Sequence, residues 1–377
     1  MTRRTLLSAA AAALLLLPAI AFPAVTDAGA NPATPPSSGL RQFEMSAALS
    51  DGTHLSITIA ASSVDEARAR AAMSGAVGRA DSFYRGMLSE GGVADQLNAL
   101  SAGKPMELSP DAYAVISKAV DIAAVTGGWY DPAGPSPSNW LTQRDWRRIR
   151  LDDASRTITF RSDGMKLDLR AISLGYAADI AMESITGSGF ANARVEAGSI
   201  CRIAGRDIFT PWKVQIGFGE TGKAGASTAG EASKFAHRAF AYNVTNIAAA
   251  TVTDEGLGAG LIDPKSKKPV ASRKVKSVTV LAADATTAAA YGLAAWTLGP
   301  RIGMRFIEQH PEVKGVLVDN DGRLFASEGL GSSNAQAEAT QAAPAIADDA
   351  QTEAPKASHG LGPADLKQKQ AEEERDL

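Results

Sequence analysis

An α+β fold, with antiparallel strands and long helices interleaved, is predicted on three observations. Apolar residues alternate on both sides of an Asp-Gly turn near residue 51, long helical stretches carry their own start and stop signals, and no strand runs into a P-loop or a Gly-x-Gly-x-x-Gly loop. The last observation removes the commonest doubly wound nucleotide folds.

The elements follow in order. Phe43, Met45, Ala47 and Leu49 alternate, Asp51-Gly52 supplies the turn, and Leu55, Ile57 and Ile59 alternate back, which is a hairpin with one buried face. Ser63 with Glu66 reads as a capping box opening a long helix. Ser109-Pro110 starts a further helix with a capping hydroxyl and a proline in the first turn, and Thr126-Gly127-Gly128 ends it. Thr157 to Phe160 and Met165 to Leu169 are strand-like and lead into a helix from about Ser173 to Ile185. Trp212 to Ile216 and Val275 to Leu281 read as strands, followed by an alanine-rich helix from about Thr286 to Leu298.

The chain of 377 residues is long enough to bury a sizeable core, and a net charge of −3 with dispersed basic residues leaves no nucleic-acid footprint. The lysines at 265, 267 and 268 beside Pro264 and Pro269 read as a solvated turn. Arg3 and Arg4 precede an apolar run from Leu6 to Ile20, the layout of a secretory signal at residues 1–30, removed after Ala19-Ile20-Ala21 or Ala28-Gly29-Ala30. The mature protein is therefore expected in the periplasm, exported by the Sec or the twin-arginine route, with no membrane span after cleavage. Residues 31–40 form a Pro/Ser-rich linker, 41–331 the folded body, and 332–377 a tail whose Ala, Gln, Glu and Asp cannot bury enough surface to offset ordering entropy. Cys201 is the single cysteine, so there is no internal disulfide, and with no histidine nearby in sequence it reads as a small buried hydrophobe. His54, His237, His310 and His359 have no ligand spacing for zinc.

Within the body, one stretch stands out: Asp168-Leu169-Arg170-Ala171-Ile172-Ser173-Leu174-Gly175-Tyr176-Ala177-Ala178-Asp179 resembles the D-L-G-G-I-A-K-G-Y-A-x-D signature of bacterial FAD:protein FMN transferases, the ApbE type. Further pieces match that family in its order. They are Ser82-Phe83-Tyr84, Ser89-Glu90, Leu97-Asn98, Thr126-Gly127-Gly128-Trp129-Tyr130-Asp131-Pro132 with Trp140 downstream, Val195 to Cys201, Leu261-Ile262-Asp263-Pro264, Val278 to Ala282, and Leu298-Gly299-Pro300. The resemblance spans about Ser82 to Ser327 and implies an ApbE-like, T-fold-like body.

The resemblance also implies a chemistry. Family members split FAD, place FMN on a threonine of a partner flavoprotein and release AMP, with a magnesium ion held by oxygen ligands. Tyr84, Trp129, Tyr130, Asp131 and Ile262 match positions that touch FAD, and the backbone carbonyl of Ala171 matches one metal ligand. The family's two side-chain ligands, an Asp and a Thr four residues apart on one helix face, read here as Ala289 and Leu293, and its histidine before x-I-D-P reads as Gly260. Leu174 stands where the family has Lys or Glu, and Ser199 and Ile200 replace the second glycine and the aspartate of A-G-G-D. The S-G-D-Y stretch has its nearest counterpart in Thr245-Asn246-Ile247-Ala248.

Two readings stand side by side: a flavinyl transferase using FAD and a flavoprotein acceptor, and a catalytically inactive module that binds flavin or a protein partner. A third has the tail recruiting a partner that the body scaffolds. From residue types alone, Trp129 to Pro132 equally makes a helix-to-strand turn, Asp263 a turn, and Asp168 and Asp179 caps or structural pairs flanking a helix. Asp284 lies off the helical face of Ala289 and is a poor replacement ligand.

Overall fold

In the computed structural model the described residues are 39–133, 145–216, 240–253, 256, 261, 263, 270, 275–328 and 330. The predicted hairpin forms from β1 (Leu40–Ala48) and β2 (His54–Ser62), with Phe43 opposite Ile59, Met45 opposite Ile57 and Ala47 opposite Leu55, so that one face is apolar from Phe43 to Ala47. Helix α1 (Glu66–Leu88) buries Ala69, Met73, Ala76, Ala80, Tyr84 and Met87, a single stripe at three- and four-residue spacing. A short helix α2 (Val93–Asn98) and strand β3 (Met106–Glu107) lead to α3 (Pro110–Val125), which Ser109 caps by accepting from the Ala112 N–H. Gly127 and Gly128 end α3 with φ of 61° and 76°, a conformation that residues with a Cβ rarely adopt.

Strands β4 (Ile149–Asp152) and β5 (Thr157–Phe160) join β3 in a small sheet ordered β3-β5-β4. Helix α4 (Arg170–Gly187) then leads through β6 (Ala193–Ala197) and β7 (Ile200–Ala204) to a separate ribbon of β8 (Trp212–Ile216) and β9 (Phe240–Val244). The chain finishes with β10 (Ala248–Val252), β11 (Val275–Ala282), α5 (Ala285–Leu298), α6 (Pro300–Glu308), β12 (Val313–Asp319) and β13 (Leu324–Ala326). The main sheet has the order β1-β2-β6-β7-β10-β11-β12-β13, with every neighbouring pair antiparallel.

Side-chain alternation divides this sheet into two environments. Ile200 and Ala204 of β7, Ala248, Ala250 and Val252 of β10, and Val278, Val280 and Ala282 of β11 join the helices in the main core. Cys201, Ile203, Ala249, Leu281 and Val316 point to the other face, where Trp212 and Val214 of the ribbon cover them. Helix α4 lies over β6 and β7, α5 over β10 and β11, and α6 over β12. The helices α4 and α5 meet at Gly175, where an added Cβ would fall 2.8 Å from the Ala285 carbonyl oxygen.

Three local expectations need correction. The capping box at Ser63 does not form: its N–H bonds the Gly39 carbonyl at 2.6 Å as a last rung of the hairpin, residues 63–65 make one 3-10 turn, and the helix begins at Glu66. Met165 to Leu169 is not a strand, because its backbone is held by isolated partners, Asn98 Oδ1 for Leu167 at 2.7 Å and Pro132 O for Asp168 at 2.8 Å. Helix α4 starts at Arg170 rather than Ser173, its first backbone N–H accepted by the Asp168 carboxylate. The signal and tail expectations lie outside the described residues, as does the linker up to residue 38, while Leu40, its last residue, opens β1.

Candidate functional site

The sequence motifs converge around the start of α4. Asn98, from the Leu97-Asn98 pair, accepts from the Leu167 N–H, and the Lys166 ammonium donates to the Asn98 carbonyl. Pro132 holds the Asp168 N–H, so motifs from α2, the turn after α3 and the signature share one hydrogen-bonded junction. These bonds explain why pieces far apart in sequence occur together: each satisfies backbone groups that no strand pairs.

At that junction Asp168 receives Nε of Arg170 at 3.0 Å and Nη2 at 2.6 Å, a two-point grip on one edge of the guanidinium. The Arg170 side chain remains 64% exposed, and its positive charge works to lower the Tyr84 phenol. Tyr84, buried on α1, donates to Asp51 Oδ2 at 2.8 Å, while Thr53 N–H donates to Asp51 Oδ1 at 2.8 Å. Burial pushes the Tyr84 phenol up, and the bond to the Asp51 carboxylate pushes it further. Burial also raises Asp51, but bonds from Thr53 and Tyr84 outweigh it and leave the carboxyl below its ordinary value.

Tyr130 is buried, and its hydroxyl has no partner among the described residues; burial first, then the nearby charges of Asp168 and Asp131, push its phenol well above the ordinary range. Its backbone N–H is held by Thr126 Oγ1 at 3.3 Å. Asp131 accepts from the Ala133 N–H at 2.9 Å and the Trp146 N–H at 3.3 Å, and so closes the turn after α3. Trp129 is half-buried against the main core. Ile262, Gly260 and Trp140 lie outside the described residues, whereas Leu261 packs at the core edge and Asp263 is 1% exposed.

The A-G-G-D counterpart sits beside these groups. Gly198, at φ 56°, bonds its N–H to the His54 carbonyl at 2.9 Å, and a Cβ there would meet Thr53 Cγ2 at 3.4 Å and Leu174 Cδ2 at 3.6 Å. Leu174 therefore contributes an apolar surface where the family signature carries a charge. Midway along α4, Asp179 accepts from the N–H groups of Ala285 at 2.8 Å and Thr286 at 3.0 Å and from the Thr286 hydroxyl at 2.6 Å. Arg202 approaches the same carboxylate at 3.3 Å. Burial and the Asp284 charge push Asp179 up in pKa. Asp284 caps α5 through Thr287 N–H at 2.8 Å and pairs with Lys118 at 2.6 Å.

The residues do not fit the family's magnesium site. Ala289 is fully buried, Leu293 is 6% exposed, and neither carries a side-chain oxygen; the Ala171 carbonyl is the sole counterpart left among the described residues. No group of three His, Cys, Asp or Glu is placed to hold a metal ion among the described residues. Asp284 is engaged as a helix cap and ion-pair partner. Two clefts occur elsewhere: one of about 360 Å³ on the ribbon side, lined by Glu44, Arg194, Glu196, Asp207 and Lys213, and one of about 340 Å³ beside Arg68 and Phe190.

Sequence reading missed Asp51 as the partner of Tyr84, since Asp-Gly signals a turn whatever its carboxylate touches. It also missed Asn98 as the clamp on the signature, whose only signal was its place in the Leu-Asn pair.

Comparison with known proteins agrees with this arrangement. The profile of the ApbE family matches residues 52–317. The FAD:protein FMN transferase of Treponema pallidum (strain Nichols) is 24% identical over 273 residues, covering 62% of this chain and 72% of its own length. That of Rhodobacter capsulatus is 27% identical over 263 residues, and this chain spans about half of it, 48%, with 63% of this chain covered. The flavin transferase ApbE from Vibrio cholerae superposes with a TM-score of 0.61 at 18% identity over 77% of this chain and 98% of that one, a likeness of fold. With its antiparallel sheet, its helices and its signature in the family's order, the chain belongs to the ApbE family.

Proposed function

We propose that the protein is a flavinyl transferase that uses FAD as donor and a threonine of an acceptor flavoprotein as target. The observation that carries this reading is the junction at the start of α4, where Asn98 accepts from the Leu167 N–H and Pro132 from the Asp168 N–H, so that three of the family's motifs meet. In the reaction the threonine oxygen forms a bond to the FMN phosphorus, the bond from that phosphorus to the AMP oxygen breaks, AMP leaves with that oxygen, and the hydroxyl proton passes to solvent. The part played by this chain is positioning: the half-buried Trp129 offers aromatic surface, with Tyr84 and Tyr130 buried behind it, and the opening turn of α4 offers backbone N–H groups to an oxyanion.

A second reading, a module that holds flavin without transferring it, is favoured by one observation: Ala289 and Leu293 supply no oxygen where the family holds its cation. The two readings separate by experiment. The mature protein is mixed with FAD, with and without MgCl2, and tryptophan quenching is followed; AMP release and the intact mass of an acceptor flavoprotein are then measured. Quenching with AMP release and added FMN mass supports transfer, quenching alone supports the flavin-holding module, and no quenching removes both. Export to the periplasm belongs to the same proposal, and cell fractionation with N-terminal sequencing of the mature chain tests it.

A further inference from the structure

One edge of the main sheet is open. Strand β1 is the first of its eight and pairs only with β2, whereas the opposite edge strand, β13, is three residues long. The two ends of the hairpin fix the phase of its ladder: the Ser63 N–H bonds the Gly39 carbonyl at 2.6 Å, and the Leu49 N–H bonds the Thr53 carbonyl at 2.8 Å. In the register between them, Arg41, Phe43, Met45 and Ala47 turn their backbone groups toward β2. Leu40, Gln42, Glu44, Ser46 and Ala48 therefore turn theirs outward, with no strand to receive them among the described residues. Sheets ordinarily guard such an edge with proline, lysine, a bulge or shortness. These nine residues contain neither proline nor lysine, and their register is unbroken.

The cleft of about 360 Å³ lies alongside this edge. Its floor is a row straight across three strands, Glu44 of β1 opposite Thr58 of β2 and Thr58 opposite Arg194 of β6, and its wall runs from Thr210 to Lys213. Three carboxylates, Glu44, Glu196 and Asp207, line it with two cations, Arg194 and Lys213. Glu196 is engaged by Arg194 and, at 3.3 Å, by Ser56, and Asp207 by Gln42 at 2.6 Å. The Glu44 carboxylate has no partner among the described residues, and it stands at the middle of the outward ladder. A strand laid on β1 sends alternate side chains over the cleft, where a basic one meets Glu44.

The edge also leads to the candidate site. The turn that ends β1 is tied to α1 by the Ser50 N–H on the Asp81 carboxylate at 2.8 Å and by Tyr84 on Asp51, and Gly198 lies between Thr53 of that turn and Leu174 of α4. A strand added to β1 runs three strand spacings from β6, about 14 Å, which about five further extended residues cross. We propose that the β1 edge and its cleft dock an extended segment of the acceptor protein by strand addition, with a basic side chain on Glu44 and the threonine about five residues beyond the paired stretch, past the turn end. This rests on the transferase reading given under Proposed function. Backbone bonds supply the grip, and Glu44 supplies the selectivity.

The test is fluorescence anisotropy of the full chain with a labelled peptide, Val-Thr-Val-Lys-Val-Thr-Val, and with a second peptide in which glutamate replaces the lysine. Hydrogen exchange read by mass spectrometry locates the bound peptide. Ser46→Pro removes an outward N–H and spares the bonds to β2, Glu44→Lys reverses the charge, and thermal melts confirm that both variants fold. The lysine peptide is expected to bind the parent below about 1 mM and to weaken about tenfold or more in each variant, while the glutamate peptide prefers Glu44→Lys to the parent. Exchange should slow within residues 40–48. No binding of the lysine peptide, binding that Ser46→Pro leaves unchanged, or binding indifferent to the charge at residue 44 overturns the proposal. Self-association of the parent, with the same residues protected and no peptide present, overturns it in favour of a second copy. Tryptophan quenching by FAD is measured alongside: a parent that binds the peptide but not FAD loses the transferase reading, whereas one that binds FAD but not the peptide loses only this surface.

Discussion

Asp179 of α4 holds the start of α5 by accepting from the backbone N–H of Ala285 at 2.8 Å, a contact between residues 106 positions apart. The same carboxylate also bonds Thr286 twice and faces Arg202. Replacing it by alanine strands two helix-terminal N–H groups and a guanidinium in a buried place. Asp179→Ala is therefore expected to destabilise the fold by about 3 kcal/mol, read as a lower urea midpoint at unchanged slope. A change under about 0.5 kcal/mol, the range of ordinary surface substitutions, shows that water takes over its bonds.

Gly175 is the close-approach point of the two helices. A methyl there falls 2.8 Å from both the Ala285 oxygen and the Thr286 Cα, which are backbone atoms that cannot swing aside. Gly175→Ala is expected to cost about 1–3 kcal/mol despite the better helix propensity of alanine. Thermal melts decide it, and a stabilised variant means that α4 and α5 separate freely.

The bond from Tyr84 to Asp51 links stability to pH. Asp51 titrates below its ordinary value of 3.8, so its contribution is present above that value and is lost as pH falls through the folded-state value. Tyr84→Phe removes one of the bonds that lower it. The carboxyl should move up in a carbon-13 titration, the acid unfolding limb should shift to higher pH, and stability at neutral pH should fall by about 1 kcal/mol. An unmoved Asp51 resonance means that Thr53 alone sets its environment.

Restoring the family ligands gives a metal-dependent protein. In Ala289→Asp with Leu293→Thr, a carboxylate enters a fully buried position, which in EDTA should cost about 3 kcal/mol or more. MgCl2 should recover stability by about 1.4 kcal/mol for each tenfold excess over the dissociation constant, while the parent's melting temperature stays fixed. A double variant indifferent to MgCl2 shows that the surrounding groups no longer form a coordination sphere.

Cys201 faces the ribbon side of the sheet, under Trp212 and Val214, and burial pushes its thiol up to about 12. The native thiol should react with a disulfide reagent at pH 8 on the order of a thousandfold more slowly than a free cysteine. Denaturant should restore the rate. Rapid reaction in buffer shows that the ribbon opens.

Much of this protein was legible from residue order, because it depends on local rules. The hairpin around Asp51-Gly52 came from period-two alternation, the start of α3 from Ser109-Pro110, and its end from two glycines that both take positive φ. The family signature and the absence of ligand oxygens at 289 and 293 also needed only residue identity. What the tertiary structure decided is which distant groups meet. Met165 to Leu169 alternates like a strand but is tied to Asn98 and Pro132, Ser63 finishes a strand instead of capping a helix, and Trp212 to Ile216 pairs in a ribbon outside the main sheet. Those outcomes rest on competition for backbone hydrogen bonds between segments far apart in sequence, and nothing in a local window specifies which partner wins. The same holds for Asp51 beneath Tyr84, Asp179 on α5, and Arg170 held by Asp168: each residue's type states what it can bond, and only its folded surroundings decide what it does bond.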